Sequence, residues 1–381
     1  MPSREPFIWS GMHILVTADT VGGVWTYTRE LVTGLASRGI RITLVSFGGI
    51  PASSQTAWLE KLSGVTYFPT AFRLEWMQDS ASDIIDSTAY LHGIVEELKP
   101  DLLHLSQFCY GSMDVPLPKI LVAHSDVMSW SQTVRGVHPD DSWARWYRRI
   151  VVQGLAGASM VVAPSHWMLE CIDSCYGKQQ RSRVIYNGRT PALFNPMVTK
   201  HNYSASVGRL WDEGKQSHLL LQLADSPLPI VLAGAESFSE QPSADFKKIG
   251  IDAHSSVQTK GQLSQGEMRQ LLSRASIYVA TSKYEPFGLA PLEAALSRCA
   301  LVASDIPSFR EIWNDAAFYF VPGDIDSLRN ALATLHGDRS LRLDYANRAY
   351  QRACQHYTAE RMVEEYAQLY SALLERRMSA A

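Results

Sequence analysis

HILVTADTVGGVWTYTRELVTGLASRGIRITLVSF, residues 13 to 47, decides the fold class. Its two ends, HILVTA (13–18) and RITLVSF (41–47), are short apolar runs rich in β-branched residues and read as buried strands. Between them Val24, Tyr27, Leu31 and Leu35 recur at the spacing of a helix with one core-facing stripe. Strand, helix and strand in so short a stretch make a βαβ unit, the building block of a parallel sheet.

The alternation continues outward. Further strands are expected at VTYFP (65–69), DLLHLS (101–106), KILVAHS (119–125), MVVAPS (160–165) and RVIYNG (183–188). RTPALFNPMVTKHNYSA then carries two prolines and no regular period, so an interdomain linker is expected at about 189–203. Beyond it strands are expected at ASVGRL (205–210), PIVLAG (229–234), VQTKG (257–261), IYVATS (277–282), ALVASD (300–305) and FYFVP (318–322). A chain of 381 residues exceeds the usual size of a single core. The expectation is an α/β protein of two Rossmann-like domains, residues 1–190 and 204–357. The last segment, 358–381, has Met362, Tyr366, Leu369, Tyr370 and Leu373 on one helical face, with Thr358 as N-cap.

A formal net charge of -3 argues against nucleic acid as a partner, since phosphate contacts demand a Lys/Arg excess. The five cysteines are scattered, without zinc-ligand spacing, and read as reduced thiols. The opening residues hold no apolar leader run and no stretch is long enough to span a bilayer, so a cytoplasmic location is expected. SWARWYRRIVVQGL (142–155) interleaves aromatic and basic residues; it reads as a core-facing helix with a solvated basic face, or as a weak membrane-surface contact.

In parallel sheets ligands bind beyond the carboxyl ends of the strands, and the suggestive residues fall there. SKYEPFGLAPLEAA (282–295) places Glu285 and Glu293 around a turn and a helix start. Pro291 suits a first helical turn, which puts Glu293 near the helix N-terminus, facing the same cleft as Glu285. Amides of Phe287, Gly288, Leu289 and Ala290 would point at an anionic or polyhydroxyl ligand. Arg209 and Lys215 are two cations able to hold a diphosphate, His124 a hydrogen-bond donor to a sugar or phosphate, and Gly22-Gly23 a loop that lets a phosphate approach. Taken singly, each also reads as a solvated or capping residue. There is no G-x-G-x-x-G fingerprint, P-loop or G-x-S-x-G elbow. Asp324-Ile325-Asp326 precedes a helical pattern and reads as a helix cap, not a metal site.

Taken together in order, these segments resemble the family 4 retaining glycosyltransferases of the GT-B fold. The resemblance runs through ADTVGGVWTYTRELVTGLASRGIRITLVS, VVAPSHWMLECI, VIYNG, SVGRLWDEGK and GQLSQGEMRQLLSRASIYVATSKYEPFGLAPLEAALS, the last holding the family's E-x7-E pattern. It implies a UDP- or GDP-sugar donor bound mainly by the second domain, and an acceptor hydroxyl on a glycan, lipid-linked or small molecule bound mainly by the first. Arg209 and Lys215 would clamp the diphosphate, Glu293 the ribose, and Glu285 with the Phe287 to Leu289 amides the donor sugar. Gln262 and Leu263 would lie near the base, Gly22 and Gly23 against the phosphate, and His124 beside the reacting carbon. No metal or other cofactor is expected, and the last helix would cross back to the first domain. The chain departs from the pattern at Arg298, where a glycine is usual, and at Lys215, which follows Gly214 instead of preceding it. The acceptor surface is expected from the loops at 72–80 and 125–141, where Phe72, Trp76, Trp130 and His138 read as stacking groups for a sugar ring or another flat apolar group, or as packing. A non-catalytic sugar-nucleotide-binding protein and a sugar-nucleotide epimerase are the alternatives that share this architecture.

Overall fold

The structure, a computed structural model, describes residues 11–223, 229–235 and 256–380. The first ten residues, part of the stretch read for a leader, and Ala381 lie outside it. Among the described residues the first lobe is built on β1 (His13–Asp19), β2 (Arg41–Phe47), β3 (Val65–Pro69), β4 (Leu102–Leu105), β5 (Lys119–Val122), β6 (Met160–Ala163) and β7 (Ser182–Val184). The second is built on β8 (His201–Val207), β9 (Ile230–Ala233), β10 (Val257–Thr259), β11 (Ala275–Ala280), β12 (Ala300–Ser304) and β13 (Ala317–Phe320). The sheet orders are β3-β2-β1-β4-β5-β6-β7 and β10-β9-β8-β11-β12-β13, and each paired strand is parallel to its neighbour. In both, the winding reverses beside the first strand, at β1/β4 and β8/β11, where departing loops separate and leave a crevice.

Every expected strand is present, several ending sooner than expected, as β7 does at Val184. β8 begins at His201, inside the stretch expected to be linker, because its polar opening residues pair with β11 through His201 and Ala275. Backbone pairing needs no apolar side chain, so hydropathy did not mark this end.

Side chains alternate between the two faces of each sheet. Ile14, Val16 and Ala18 enter one core of the first lobe and Leu15 the other; in the second lobe Ile277 and Val279 oppose Tyr278. The helix Ala359–Ala380 lies on the first sheet, beside the helix Gly23–Ala36, and buries Met362, Val363, Tyr366, Leu369, Tyr370 and Leu373 with Ile14 and Val16. Full burial of such side chains is worth about 1.5–3 kcal/mol each. That scale exceeds what the exposed charges of the helix can contribute. Thr358 Oγ1 accepts the Arg361 N–H at 3.3 Å at its start. His104 is buried between Tyr370 Oη, 2.8 Å from Nδ1, and Tyr27 Oη, 3.1 Å from Nε2. Burial pushes its pKa down to about 3, so a neutral ring joins strand and helix.

Arg298 solves the missing-glycine problem in its own backbone. It takes φ 65°, its N–H donates to Ala295 O at 2.8 Å, and the Cys299 N–H donates to Ala294 O at 2.9 Å. This is a Schellman closure, and the left-handed side chain is held by Asn347 Oδ1, 2.9 Å from Nε.

Gly34 lies where the helices Gly23–Ala36 and Ala359–Ala380 touch: a Cβ there would stand 2.5 Å from Val363 Cγ2. Gly34→Ala is expected to destabilise the chain by about 1–3 kcal/mol, and by less when Val363 is also alanine. Chemical unfolding of the double-mutant cycle measures the coupling; strictly additive costs would mean that this contact does not govern docking.

Candidate active site

The loop after β11 carries the pair of glutamates. Gly288, at φ 92°, turns the chain into the helix Leu289–Leu296, which therefore starts two residues before Pro291. A proline so early sacrifices no hydrogen bond, since first-turn N–H groups have no intrahelical partner. No side chain caps this end among the described residues, leaving the Leu289 and Ala290 amides at its mouth. Glu293 is consequently the fifth helical residue and not an N-terminal one.

Glu285 and Glu293 are held by different partners. Glu285 Oε2 accepts from Lys215 Nζ and lies 3.3 Å from Ser282 Oγ, with the Lys215 and Glu285 side chains 23% and 14% exposed. Glu293 is buried and paired with Arg189, its Oε1 2.9 Å from Nε. Burial, opposed by Arg189, raises its pKa. Burial raises the pKa of Tyr278, whose hydroxyl donates to Val207 O at 3.1 Å, and both carboxylates act on it in the same direction.

The first lobe grips this loop on either side of Glu285. Tyr284 Oη lies 2.9 Å from Ser129 Oγ, and Ser165 Oγ donates to Pro286 O at 2.6 Å. Phe287 turns its ring into the core against Tyr357, which leaves only its backbone for a ligand.

Arg209 follows β8 and reaches across the gap: Nη1 would be 3.6 Å from a Cβ on Gly22, in the loop after β1. Its Nη2 donates to Asp212 Oδ2 at 2.7 Å. Asp212 Oδ1 accepts from Gly214 N–H at 2.9 Å and from Trp130 Nε1 at 3.3 Å. Trp130 is thus a strut between the lobes and not a free stacking surface. Similarly Trp76 Nε1 donates to Asp19 at 3.3 Å, and Phe72 packs on Tyr90, while His138 is exposed. Gly23 would place a Cβ 3.4 Å from Leu289 Cδ1, so the glycine loop meets the helix end directly.

His124 follows β5, half-buried, with Nε2 3.4 Å from Ser106 Oγ and its ring edge-on to Tyr27 at 4.5 Å. Burial lowers its pKa and keeps the ring neutral near pH 7. Gln262 and Leu263 lie in the loop before the helix Gln265–Arg274, Gln262 exposed and Leu263 half-buried; Gln265 touches Arg29 of the first lobe. Asp324 is a helix cap, accepting the N–H groups of Asp326 and Ser327 at 2.9 and 3.0 Å. The Trp143 and Tyr147 rings of the helix Ser142–Gly157 pack inward while Arg145 and Arg149 are exposed. No helix among the described residues is long and apolar enough to cross a membrane.

Sequence reasoning missed Asp19, Asp212 and Arg189. Asp19 had a positional signal, the carboxyl end of β1. Its Oδ1 accepts the Val21 N–H at 2.6 Å, and burial raises its pKa to about 7. The crevice can therefore surround an anion with Arg209, Lys215 and two helix-end amides, while carboxylates accept from hydroxyls.

Two family models match in tandem: Glycosyltransferase Family 4 over residues 21–192 and Glycosyl transferases group 1 over residues 194–352. The chain is 26% identical over 213 residues to the O-antigen chain mannosyltransferase RfbU of Salmonella typhimurium, a match covering 53% of this chain and 60% of that protein. It is 32% identical over 242 residues to the lipopolysaccharide core biosynthesis mannosyltransferase LpcC of Rhizobium leguminosarum bv. viciae, covering 56% and 68% of the two. Its fold is similar to that of Anabaena Alr3699/HepE in complex with UDP-glucose, with a TM-score of 0.74 at 19% identity over 95% of this chain and 100% of that one.

A carboxyl group whose pKa is raised to about 7 on folding binds its proton more tightly in the native state than in the unfolded one. Asp19 therefore adds stability below its unfolded pKa and loses it as pH rises through about 7. Asp19→Asn is expected to gain stability relative to wild type between about pH 4 and pH 7, measured by urea unfolding at each pH; a constant difference would rule out the shift.

Proposed function

Since the chain belongs to family 4 of the group 1 glycosyltransferases, we propose that it moves a hexose from a UDP- or GDP-sugar to an acceptor hydroxyl with retention of anomeric configuration and without a metal ion. The observation that carries this reading is Arg209 reaching from the second lobe to the Gly22 loop of the first. A cation spanning the gap suits a diphosphate that must be held while its sugar leaves.

In the proposed reaction Arg209 and Lys215 neutralise the charge that grows on the departing diphosphate, and the Leu289 and Ala290 amides add fixed dipoles. Protein cations do what a divalent ion would otherwise do. The anomeric C–O bond to the phosphate breaks, the acceptor oxygen bonds on the same face, and the acceptor proton passes to the leaving phosphate oxygen. Lys215 holds the Glu285 carboxylate so that it accepts from donor-sugar hydroxyls, and Glu293 accepts from the ribose. Gln262 and Leu263 border the base. His124, neutral, donates to the donor sugar beside the reacting carbon. Asp19, across from Arg209, borders the acceptor side.

Support for a nucleotide-sugar donor comes from the UDP-glucose bound by HepE, and support for a hexose from the mannosyltransferase names of RfbU and LpcC. The acceptor class stays at a hydroxyl compound, a glycan, a lipid-linked saccharide or a small molecule. Contact with a membrane surface would run through the exposed arginines of the helix Ser142–Gly157.

A thermal-shift screen of UDP-, GDP-, ADP- and TDP-sugars identifies the donor by a raised melting temperature. Arg209→Ala is expected to lower kcat/KM by roughly 30-fold or more, about 2 kcal/mol, in nucleotide release with an acceptor panel. Excess chelator is expected to leave the wild-type rate unchanged. Full activity in Arg209→Ala, or chelator loss restored by magnesium, would defeat the proposal; an isomerised donor without acceptor would mark an epimerase.

A further inference from the structure

Arg189 stands where the chain crosses between the lobes in both directions. Its N–H donates to Tyr357 O at 3.0 Å, its carbonyl accepts from the Ala359 N–H at 3.0 Å, and it pairs in parallel with Thr358. The outgoing linker and the returning chain are thus stitched together at this residue. Its guanidinium, 4% exposed, lies between carboxylates of different lobes. One is Glu30, on the helix Gly23–Ala36, in hydrogen-bond contact with Nη1. The other is Glu293, whose Oε1 is 2.9 Å from Nε in an ion contact too bent for an aligned hydrogen bond.

The two carboxylates are not equally supported. Glu30 has a second donor, Thr190 Oγ1, 2.6 Å from Oε2. For Glu293 Arg189 is the one paired cation among the described residues, with Arg269 acting at longer range. Burial and the negative charge of Glu30 both favour the protonated form of Glu293, and Arg189 opposes them. A carboxylate accepts hydrogen bonds roughly twice as strongly as a neutral group, so keeping Glu293 ionised matters to any ligand it meets.

We infer that Arg189 is the positioning residue for ribose recognition: it aims the Glu293 carboxylate at the vicinal hydroxyls of the nucleotide, and through Glu30 ties that site to the first lobe. The inference rests on the proposed role of Glu293. Arg189 itself touches no substrate in this scheme. It acts through the carboxylate, from the point where the lobes are joined.

A merely structural Arg189 would, when replaced, lower stability and weaken all nucleotides alike. A positioning role affects the hydroxyls selectively. The test is calorimetric titration of the full chain with UDP and GDP, and with the 2′,3′-dideoxy analogue of whichever binds more tightly. For wild type, loss of the two hydroxyls is expected to weaken binding by about 10-fold or more, the scale of hydrogen bonds to a charged group. In Arg189→Met the same loss is expected to cost less than about 3-fold, and Arg189→Lys, which keeps the charge without the planar fork, is expected to fall between. If Arg189→Met does not fold, as judged by circular dichroism, Glu30→Gln supplies the second reading: it loosens the anchor of Arg189 and is expected to reduce the hydroxyl effect. Nucleotide binding with an undiminished hydroxyl effect in the folded variants overturns the role of Arg189 alone. A wild-type chain that binds neither nucleotide overturns the donor reading and this inference with it.

Discussion

A parallel sheet delivers all its strand ends to one edge, and the crevice depends on this constraint. Gly22 follows β1, His124 follows β5, Arg209 follows β8 and Glu285 follows β11, so each emerges at the carboxyl edge of its own sheet. With the switch points at β1/β4 and β8/β11, the loops most free to project are those that carry the chemistry. Residues far apart in sequence are brought together because the strands before them are neighbours or face one another across the gap.

Polar contacts hold the lobes at several points, beside apolar ones such as Tyr284 in the first-lobe core and Leu289 against the cores of both lobes. Tyr284 meets Ser129, Ser165 meets Pro286, and Glu311 accepts the N–H groups of His166 and Trp167 at 2.7 and 2.9 Å, capping a first-lobe helix from the second lobe. Arg135 and Glu213 form a bidentate pair at 3.0 and 2.8 Å, but both are exposed, and such pairs contribute at most about 1 kcal/mol. The buried group of Arg189, Glu30 and Glu293 is of another kind. Desolvating three charges is expensive, so its members depend on one another and removing one strands the rest. A molecule that must bring donor and acceptor together gains from directional contacts of this sort, which align the lobes without welding them.

The fold was legible because hydropathy period and strand burial are the same physics. HILVTA and RITLVSF are buried on both faces, and their apolar runs say so. Legibility failed at the start of β8, whose first residues, His201 and Asn202, are polar and exposed. The candidate residues were legible as strand-end polar groups, but not their partners: Glu293 is held by Arg189, the Phe287 ring lies in the core, and Trp130 is held by Asp212. Each of these partners is far away in the chain. Glu30 and Arg189 are 159 residues apart, and Trp130 and Asp212 are 82 apart, beyond the reach of local spacing.

The amino-acid sequence by itself determined the alternation of strands and helices, the two sheets, the apolar face of the last helix and the order of the motif segments, because these depend on local period and composition. Tertiary structure alone decided which carboxylate is paired with which cation, which aromatic ring serves as a strut, and that the linker arginine joins both lobes. Charge pairing is a matter of distance and desolvation, and both exist only once separate segments have been packed against one another.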